Sequence, residues 1–218
     1  MTQAKDSQLL ADKAQKALWT ALRSGKLREG QFLSMSQLVD LLDCPIAAIR
    51  DAVKHGTSQG LLTTLPKRGV QVMEARPDTI RECLDFRMAF DQEGARRRIS
   101  EGATTGLTAL RERHEDMRNA AMAAAGSHLP PKAIAVDLSL HDFLAEGLGN
   151  SLLAAAYAAN RMRVAIIQNA RPFLQHRIMS AMEEHIAIID ALDRLDAGAT
   201  TGAIRYHYEQ TLRWWGVA

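Results

Sequence analysis

Asp137-Leu138-Ser139-Leu140-His141, running on through Phe143 and Leu148 to Gly149-Asn150 and Leu152-Leu153, is the stretch on which the reading of this chain turns. Asp137 and His141 are four apart, so on a helix a carboxylate oxygen and an imidazole nitrogen stack on one face and reach the same point. Two later stretches each carry one more imidazole where the apolar pattern asks for a buried residue. Ile178, Met182, His185, Ile189 and Leu192 form one stripe, and Ile204, His207, Tyr208, Thr211 and Trp215 form another. A short turn joins them, so the two helices run antiparallel, with the histidines offset by roughly 7 Å along the axis. Buried without a common partner, such groups would cost roughly 1–3 kcal/mol each. An Asp and three His meeting inside a helical bundle are instead the donor set of a divalent-metal site.

Working outward, helical segments are expected at 78–101, 104–125, 131–148, 151–170, 174–197 and 200–215. Breaks fall at Gly102, Gly126 to Pro131, Gly149-Asn150, Arg171-Pro172 and Gly198. Six helices of this length predict an antiparallel bundle over 77–218, in a mostly α protein. His114, His128 and His176 are expected near loops or polar faces, in solvent. With 218 residues the chain has room for this domain and a smaller one, and 5% aromatic content argues against a sandwich or barrel. Cys44 and Cys83 are too few for a disulfide framework or a thiolate zinc site. No signal-peptide core and no long apolar run is present, so a cytoplasmic protein without a membrane partner is expected.

The first 76 residues hold 11 Lys and Arg against 7 Asp and Glu, a net +4, whereas 77–218 is net −2. A basic module on a mildly acidic body points to an anionic partner for the first part. Leu9, Leu10, Ala14, Ala17, Leu18 and Leu22 recur at helical spacing and stop at Ser24-Gly25. Ser36 is expected to cap a second helix bearing Leu38, Val39, Leu41 and Leu42, and Asp43-Cys44-Pro45 opens a third. There Ile49, Ala52 and Val53 face inward while Arg50, Lys54 and His55 face out. Leu61 to Thr64 and Val70 to Val72 have strand chemistry, separated by a basic tip at Pro66-Lys67-Arg68-Gly69. Three short helices and a hairpin with a cationic tip make a winged helix-turn-helix over 1–76. Its third helix would enter the major groove of double-stranded DNA, Arg50 reading a guanine edge and Lys54, His55, Lys67 and Arg68 meeting phosphates.

These motifs carry a resemblance. Gly25-x-Leu27-x-x-Gly30, Ile49-Arg50-Asp51-Ala52-Val53, Gly60-Leu61-Leu62 and Pro66-x-Arg68-Gly69-Val70 resemble the DNA-binding domain of GntR-type transcription regulators. Pro45-Ile46-Ala47-Ala48 departs from the Ser-Arg-Thr-Pro-like start of that family's recognition helix, and Met35 replaces a common glutamate. Arg87 with Asp91, Asp137-x-x-x-His141, Gly149-Asn150-x-Leu152, Glu184-His185-x-x-Ile188 and His207 resemble the ligand-binding FCD domain of the FadR branch, in its six-helix, VanR-like form. The resemblance implies a zinc, nickel or manganese ion on Asp137, His141, His185 and His207, whose open positions take a small organic carboxylate. Arg87 and Arg163 would pair with that carboxylate.

The expectation is thus a homodimeric, effector-controlled transcription regulator, commonly a repressor and not an enzyme. Two rivals stand beside it: a metal-dependent hydrolase, and a sensor with degenerate DNA binding motivated by Ile46, Ala47 and Met35.

Overall fold

The computed structural model describes residues 2–123, 129–171 and 173–218. The chain divides into two compact units. One runs to Thr79 and includes Arg161–Ala170, and the other comprises Ile80–Asn160 and Arg171–Ala218.

In the first unit α1 (Thr2–Arg23) is followed by β1 (Phe32–Leu33), α2 (Met35–Leu42), α3 (Ile46–Ser58), β2 (Leu62–Leu65) and β3 (Gly69–Val72). Leu18, Leu22, Leu27, Leu38, Ile49 and Leu61 are fully buried at its centre. The cap of α2 is Ser34, not Ser36. Gln37 three residues on completes a capping box, its side chain accepting from the Ser34 N–H at 2.8 Å. Asp43 ends that helix in the left-handed region, at φ 49°, and Pro45 presets the entry to α3. The three strands pair antiparallel in the order β1-β3-β2, with Leu62 opposite Val72 and Leu65 opposite Gly69. At two residues β1 is too short to leave an alternating pattern in the sequence. Gly69 has φ 123°, and a Cβ there would lie 2.3 Å from the Leu33 carbonyl oxygen, so only glycine lets the wing meet β1.

The second unit is helical: α4 (Pro77–Glu101, from Ile80 onward), α5 (Leu107–Ala123), α6 (Pro130–Glu146), α7 (Ser151–Ala170, as far as Asn160), α8 (Gln175–Asp193) and α9 (Ala197–Trp214). The expected six helices are present among the described residues, though the ends differ. Gly198 does not break the chain but sits in the first turn of α9, because Asp196 caps that helix by accepting from the Ala199 N–H at 2.9 Å. The expected break at Gly126 and the proline of Arg171-Pro172 lie outside the described residues, as does His128. Asn150 starts α7 by accepting from the Leu152 and Leu153 amides.

Apolar clusters of the described residues fill the bundle. Ala95, Leu107, Leu110, Leu140, Leu144, Ile188, Ile189, Leu192 and Ile204 form one, Met117, Ala133, Val136, Ile178 and Met182 are members of a second, and Ala145, Leu148 and Tyr157 form a smaller third. Helices α4 and α6 meet at Gly94, where a Cβ would lie 2.0 Å from the Leu144 carbonyl oxygen. The missing side chain sets that spacing, and it is this spacing that brings Asp91, one turn before Gly94, up to His141, one turn before Leu144.

Candidate metal centre and nucleic-acid interface

His141 on α6, His185 on α8 and His207 on α9 turn toward one another, each offering a ring nitrogen within 4.8 Å of the others. They are 1%, 0% and 2% exposed, and Asp137, one turn before His141, is 5% exposed with Oδ1 3.7 Å from His185 Nε2. The rings of His185 and His207 approach to 4.4 Å between centroids. The axial offset expected from helix rise is therefore absorbed by helix placement and side-chain reach.

Hydrogen-bond chemistry assigns the protons. His207 Nδ1 donates to Glu184 Oε2 at 2.7 Å, and its Nε2 lies 3.3 Å from Arg87 Nη2, which can only donate. Nε2 of His207 therefore carries the lone pair. His114 Nδ1 donates to the Leu110 carbonyl at 2.7 Å, which leaves its Nε2 as acceptor for His185 Nδ1–H at 3.2 Å. His185 thus also turns an Nε2 lone pair inward. Above about pH 7 His141 Nδ1 donates to the Asp91 carboxylate at 2.8 Å, and its Nε2 is buried with no hydrogen-bond partner. Three lone pairs converge, and those of His185 and His207 face each other at 3.2 Å with no hydrogen between them. Two facing acceptors repel. A cation placed among them would take all three, replacing the Arg87 contact at His207, with the Asp137 carboxylate alongside.

At His141 and His185 the electrostatics favour the neutral ligand form. Burial, with the neighbouring Arg87, holds His141 well below the usual histidine range. Burial, with His207, His141 and His114 around it, does the same for His185. His114 is lowered mainly by burial. Burial pushes Asp91 up to about 7 against the pull of Arg87. Burial also raises Glu184, but the hydrogen bonds from His207 and Arg177 outweigh it and hold the carboxyl below its ordinary value. An imidazole must be unprotonated to bind metal, and each ligand nitrogen here has its opposite ring nitrogen tied to an acceptor that fixes the tautomer.

The predicted quartet Asp137, His141, His185 and His207 is therefore brought together, and Arg87, also buried, fronts it at His207 Nε2. Arg163 is not brought there. It belongs to the first unit, where Nη2 donates to the Gln59 carbonyl at 2.6 Å, at the end of α3. His114 is a correction in the other direction. Expected in solvent, it is wholly buried as the support of His185, because Leu107, Leu110, His114, Met117 and Ala121 form the inner stripe of α5. The signal was available in that spacing, though Arg111, Glu112, Arg113 and Glu115 around His114 mask it. His176 is exposed as expected, edge-on to Trp214 at 4.7 Å. Glu184 and Asp91 stood in the sequence motifs without a role, and Arg177 was not singled out at all.

The residue pattern of the second unit also matches a known family: the FCD domain, over residues 82–210. The chain belongs to the FCD domain family. Solved structures share the fold of this FCD protein along almost its whole length. E. coli McbR/YncC matches with 16% identity over 95% of this chain and 97% of that one, at a TM-score of 0.75. A Rhodococcus sp. RHA1 protein described as a GntR transcriptional regulator matches with 18% identity over 95% and 98%, at 0.77. Lar, which controls expression of the Listeria monocytogenes agr system, matches with 11% identity over 94% and 96%, at 0.61. The FCD protein is thus built on the GntR-regulator architecture, an N-terminal winged helix-turn-helix with a helical C-terminal domain. No curated protein sequence matches it.

In the winged unit, Arg50 and Lys54 are exposed on one face of α3, with Lys54 Nζ 3.5 Å from Asp51 Oδ1. Lys67, at φ 60°, and Arg68 are exposed at the wing tip beside Gly69, and the Arg68 guanidinium sits 6.0 Å from the Phe32 ring centre. His55 is exposed but turned toward α1, its ring stacked on Trp19 at 5.4 Å and its Nε2 accepting from the Gln59 amide at 2.9 Å. The N-terminus of α3 has no side-chain cap, and Ile46 stands there 41% exposed. No helix among the described residues is long and apolar enough to cross a membrane.

Proposed function

We propose that this FCD protein is a DNA-binding transcription regulator, acting as a cytoplasmic homodimer whose operator affinity follows a small carboxylate bound at a divalent metal. The observation that carries the metal half is the trio of inward Nε2 lone pairs, each with its opposite nitrogen held by Asp91, His114 or Glu184. Three imidazoles and one carboxylate suit a borderline cation such as zinc, nickel or manganese. Asp137, His141, His185 and His207 would hold the ion, which when bound supplies a Lewis-acidic centre for an anionic oxygen. Arg87 lies against His207 and would pair with the effector carboxylate. The six helices of the C-terminal domain agree with the VanR-like form.

Binding rather than turnover is the reading because Glu184 accepts on both oxygens, from Arg177 and His207, and Asp91 Oδ2 accepts from His141, so the carboxylates beside the ligands serve to orient rings. For DNA, Arg50 and Lys54 would read the major groove, with Lys67, Arg68 and the Gly69 turn along the backbone, and His55 would act from the edge of that face. A dimer would place two such modules on half-sites of a pseudo-palindrome, the effector shifting their spacing as repressor control requires.

The test is fluorescence anisotropy of the purified protein on DNA from upstream of its own gene, with zinc present and small carboxylic acids titrated in. Salt-sensitive binding, lost in Arg50→Ala and altered by one acid in wild type but not in His207→Ala, is the expected result. Binding that is indifferent to Arg50 and to every acid would refute the proposal.

A further inference from the structure

Glu184 and Thr211, the two groups that support His207, converge on a third residue outside the donor set. Arg177, on α8 two turns before Glu184, is only 5% exposed. Its Nη1 donates to Glu184 Oε1 at 2.6 Å and to Ser180 Oγ at 3.1 Å, and its Nη2 donates to Thr211 Oγ1 at 3.2 Å. Glu184 Oε2 accepts from His207 Nδ1 at 2.7 Å, while Thr211 Oγ1 donates to the His207 carbonyl at 2.9 Å. One guanidinium therefore grips the ring of His207 through a carboxylate and its helical turn through a hydroxyl.

We infer that Arg177 is a positioning residue for the metal centre, holding His207 in the Nδ1–H tautomer through Glu184 so that its Nε2 lone pair stays turned toward the ligand cluster. The inference rests on the metal reading above. A carboxylate held by a single imidazole donor would be free to swing away from it. With the Arg177 guanidinium on Oε1 and the His207 ring on Oε2, both oxygens of Glu184 are pinned as acceptors. Nδ1 then has to be the protonated ring nitrogen. Without Arg177 the acceptor at Nδ1 is no longer held in place and only Arg87, at Nε2, still favours the Nδ1–H tautomer, so the Nε2 lone pair a cation needs is less firmly fixed. The fork also reaches Thr211 on the next helix, but it is the cationic donor on Glu184 that the tautomer depends on.

The experiment is a double-mutant cycle on the full chain with Arg177→Met, Glu184→Gln and the pair, each stripped of metal and refilled with zinc. Zinc affinity is read by competition with a chromogenic chelator, and the tautomer of His207 by 15N NMR of the metal-free protein. Arg177→Met is expected to weaken zinc binding by roughly 10- to 100-fold and to move the His207 proton toward Nε2. In the Glu184→Gln background, where no carboxylate is left unpaired, the same change should cost far less. Arg177→Lys preserves the charge beside Glu184 and should recover most of the zinc affinity and the Nδ1–H tautomer, which also serves if the methionine variant does not fold. Additive losses, or an Arg177→Met protein that melts earlier yet keeps wild-type zinc affinity and tautomer, would overturn the inference and leave the metal centre standing. A wild-type chain that takes up no zinc would overturn both.

Discussion

Replacing Gly94 by Ala sets two effects of opposite sign against each other. Alanine is the better helix former by about 1 kcal/mol, so in an open helix the change stabilises. At Gly94, however, the new Cβ would lie 2.0 Å from the Leu144 oxygen and 2.7 Å from its carbonyl carbon, where approaches under 3.0 Å essentially do not occur. The obstacle is backbone and cannot rotate away, so α4 and α6 must part by about 1 Å. Asp91 and His141 each lie one turn back along these two helices, and the same displacement would stretch their 2.8 Å hydrogen bond to about 3.8 Å, beyond bonding range. Overpacking of this kind costs about 1–3 kcal/mol, and loss of a ligand's outer partner costs roughly 10- to 100-fold in metal affinity. Urea unfolding of the metal-free protein and chelator competition for zinc measure the two consequences separately. Gly202→Ala on α9, where a Cβ meets nothing within 4 Å, is the control and should gain stability from helix propensity alone. If Gly94→Ala tracked that control in urea midpoint and kept wild-type zinc affinity, the argument that this glycine sets the α4–α6 spacing would be wrong.

The remaining expectations concern protons and metal. His114, His141 and His185 are all held below the unfolded value of about 6.5, so the stability they confer is complete above that pH and is lost as pH falls through it toward their folded values. Asp91, raised to about 7, acts in the opposite sense below that pH and offsets one of the three. The metal-free protein should lose stability as pH falls from 6.5 to 5.5, the three histidines outweighing Asp91; urea midpoints that do not move over this interval would refute it. Zinc at 100 times its dissociation constant should stabilise the native state by about 2.7 kcal/mol, read as a rise in melting temperature that a chelator reverses. His207→Ala should abolish the rise, and a rise that survives in this variant would place the ion elsewhere.

Much of the fold could be read from residue patterns because its determinants are local. The stripes carrying His185 and His207, the Gly149-Asn150 break and the basic hairpin tip each depend on a few neighbouring residues, and each recurs at the expected place. The four donors were legible for the same reason: a histidine in an apolar stripe is anomalous on its own helix. What holds those donors was not legible. His114 lies among charged residues of α5, Asp91 sits on a helix whose inner face is interrupted by the buried Arg87, and Arg177 reaches its partners across seven and thirty-four positions of chain. Such roles arise only when separate helices meet. Arg163 failed for a related reason. An inward-facing position on α7 is no guide to which unit that part of the helix packs against, and its guanidinium is taken by the Gln59 carbonyl. The cap of α2 was missed by two residues because Ser34 and Ser36 both qualify, and only Gln37 as a capping-box partner decides between them.

The assignment of protons bears on how a ligand at this site could be felt elsewhere. The three inward nitrogens come from α6, α8 and α9, while the acceptors that fix them come from α4, α5 and α8. A cation on those nitrogens would therefore tie five of the six C-terminal helices to one point. Anything that changes its coordination acts on all five through hydrogen bonds of 2.7 to 3.2 Å rather than through soft apolar contacts. At Gly94 the backbones of α4 and α6 are already at the limit of approach, so this pair can open but cannot close further. A ligand that bound equally well to the close and the open arrangement would shift nothing. One that bridged the cation and Arg87 of α4 would favour the close arrangement, because the guanidinium and the ring nitrogen of His207 are 3.3 Å apart only while α4 stays in place. The difference between those two packings, not the strength of binding alone, is what an effector would have to supply.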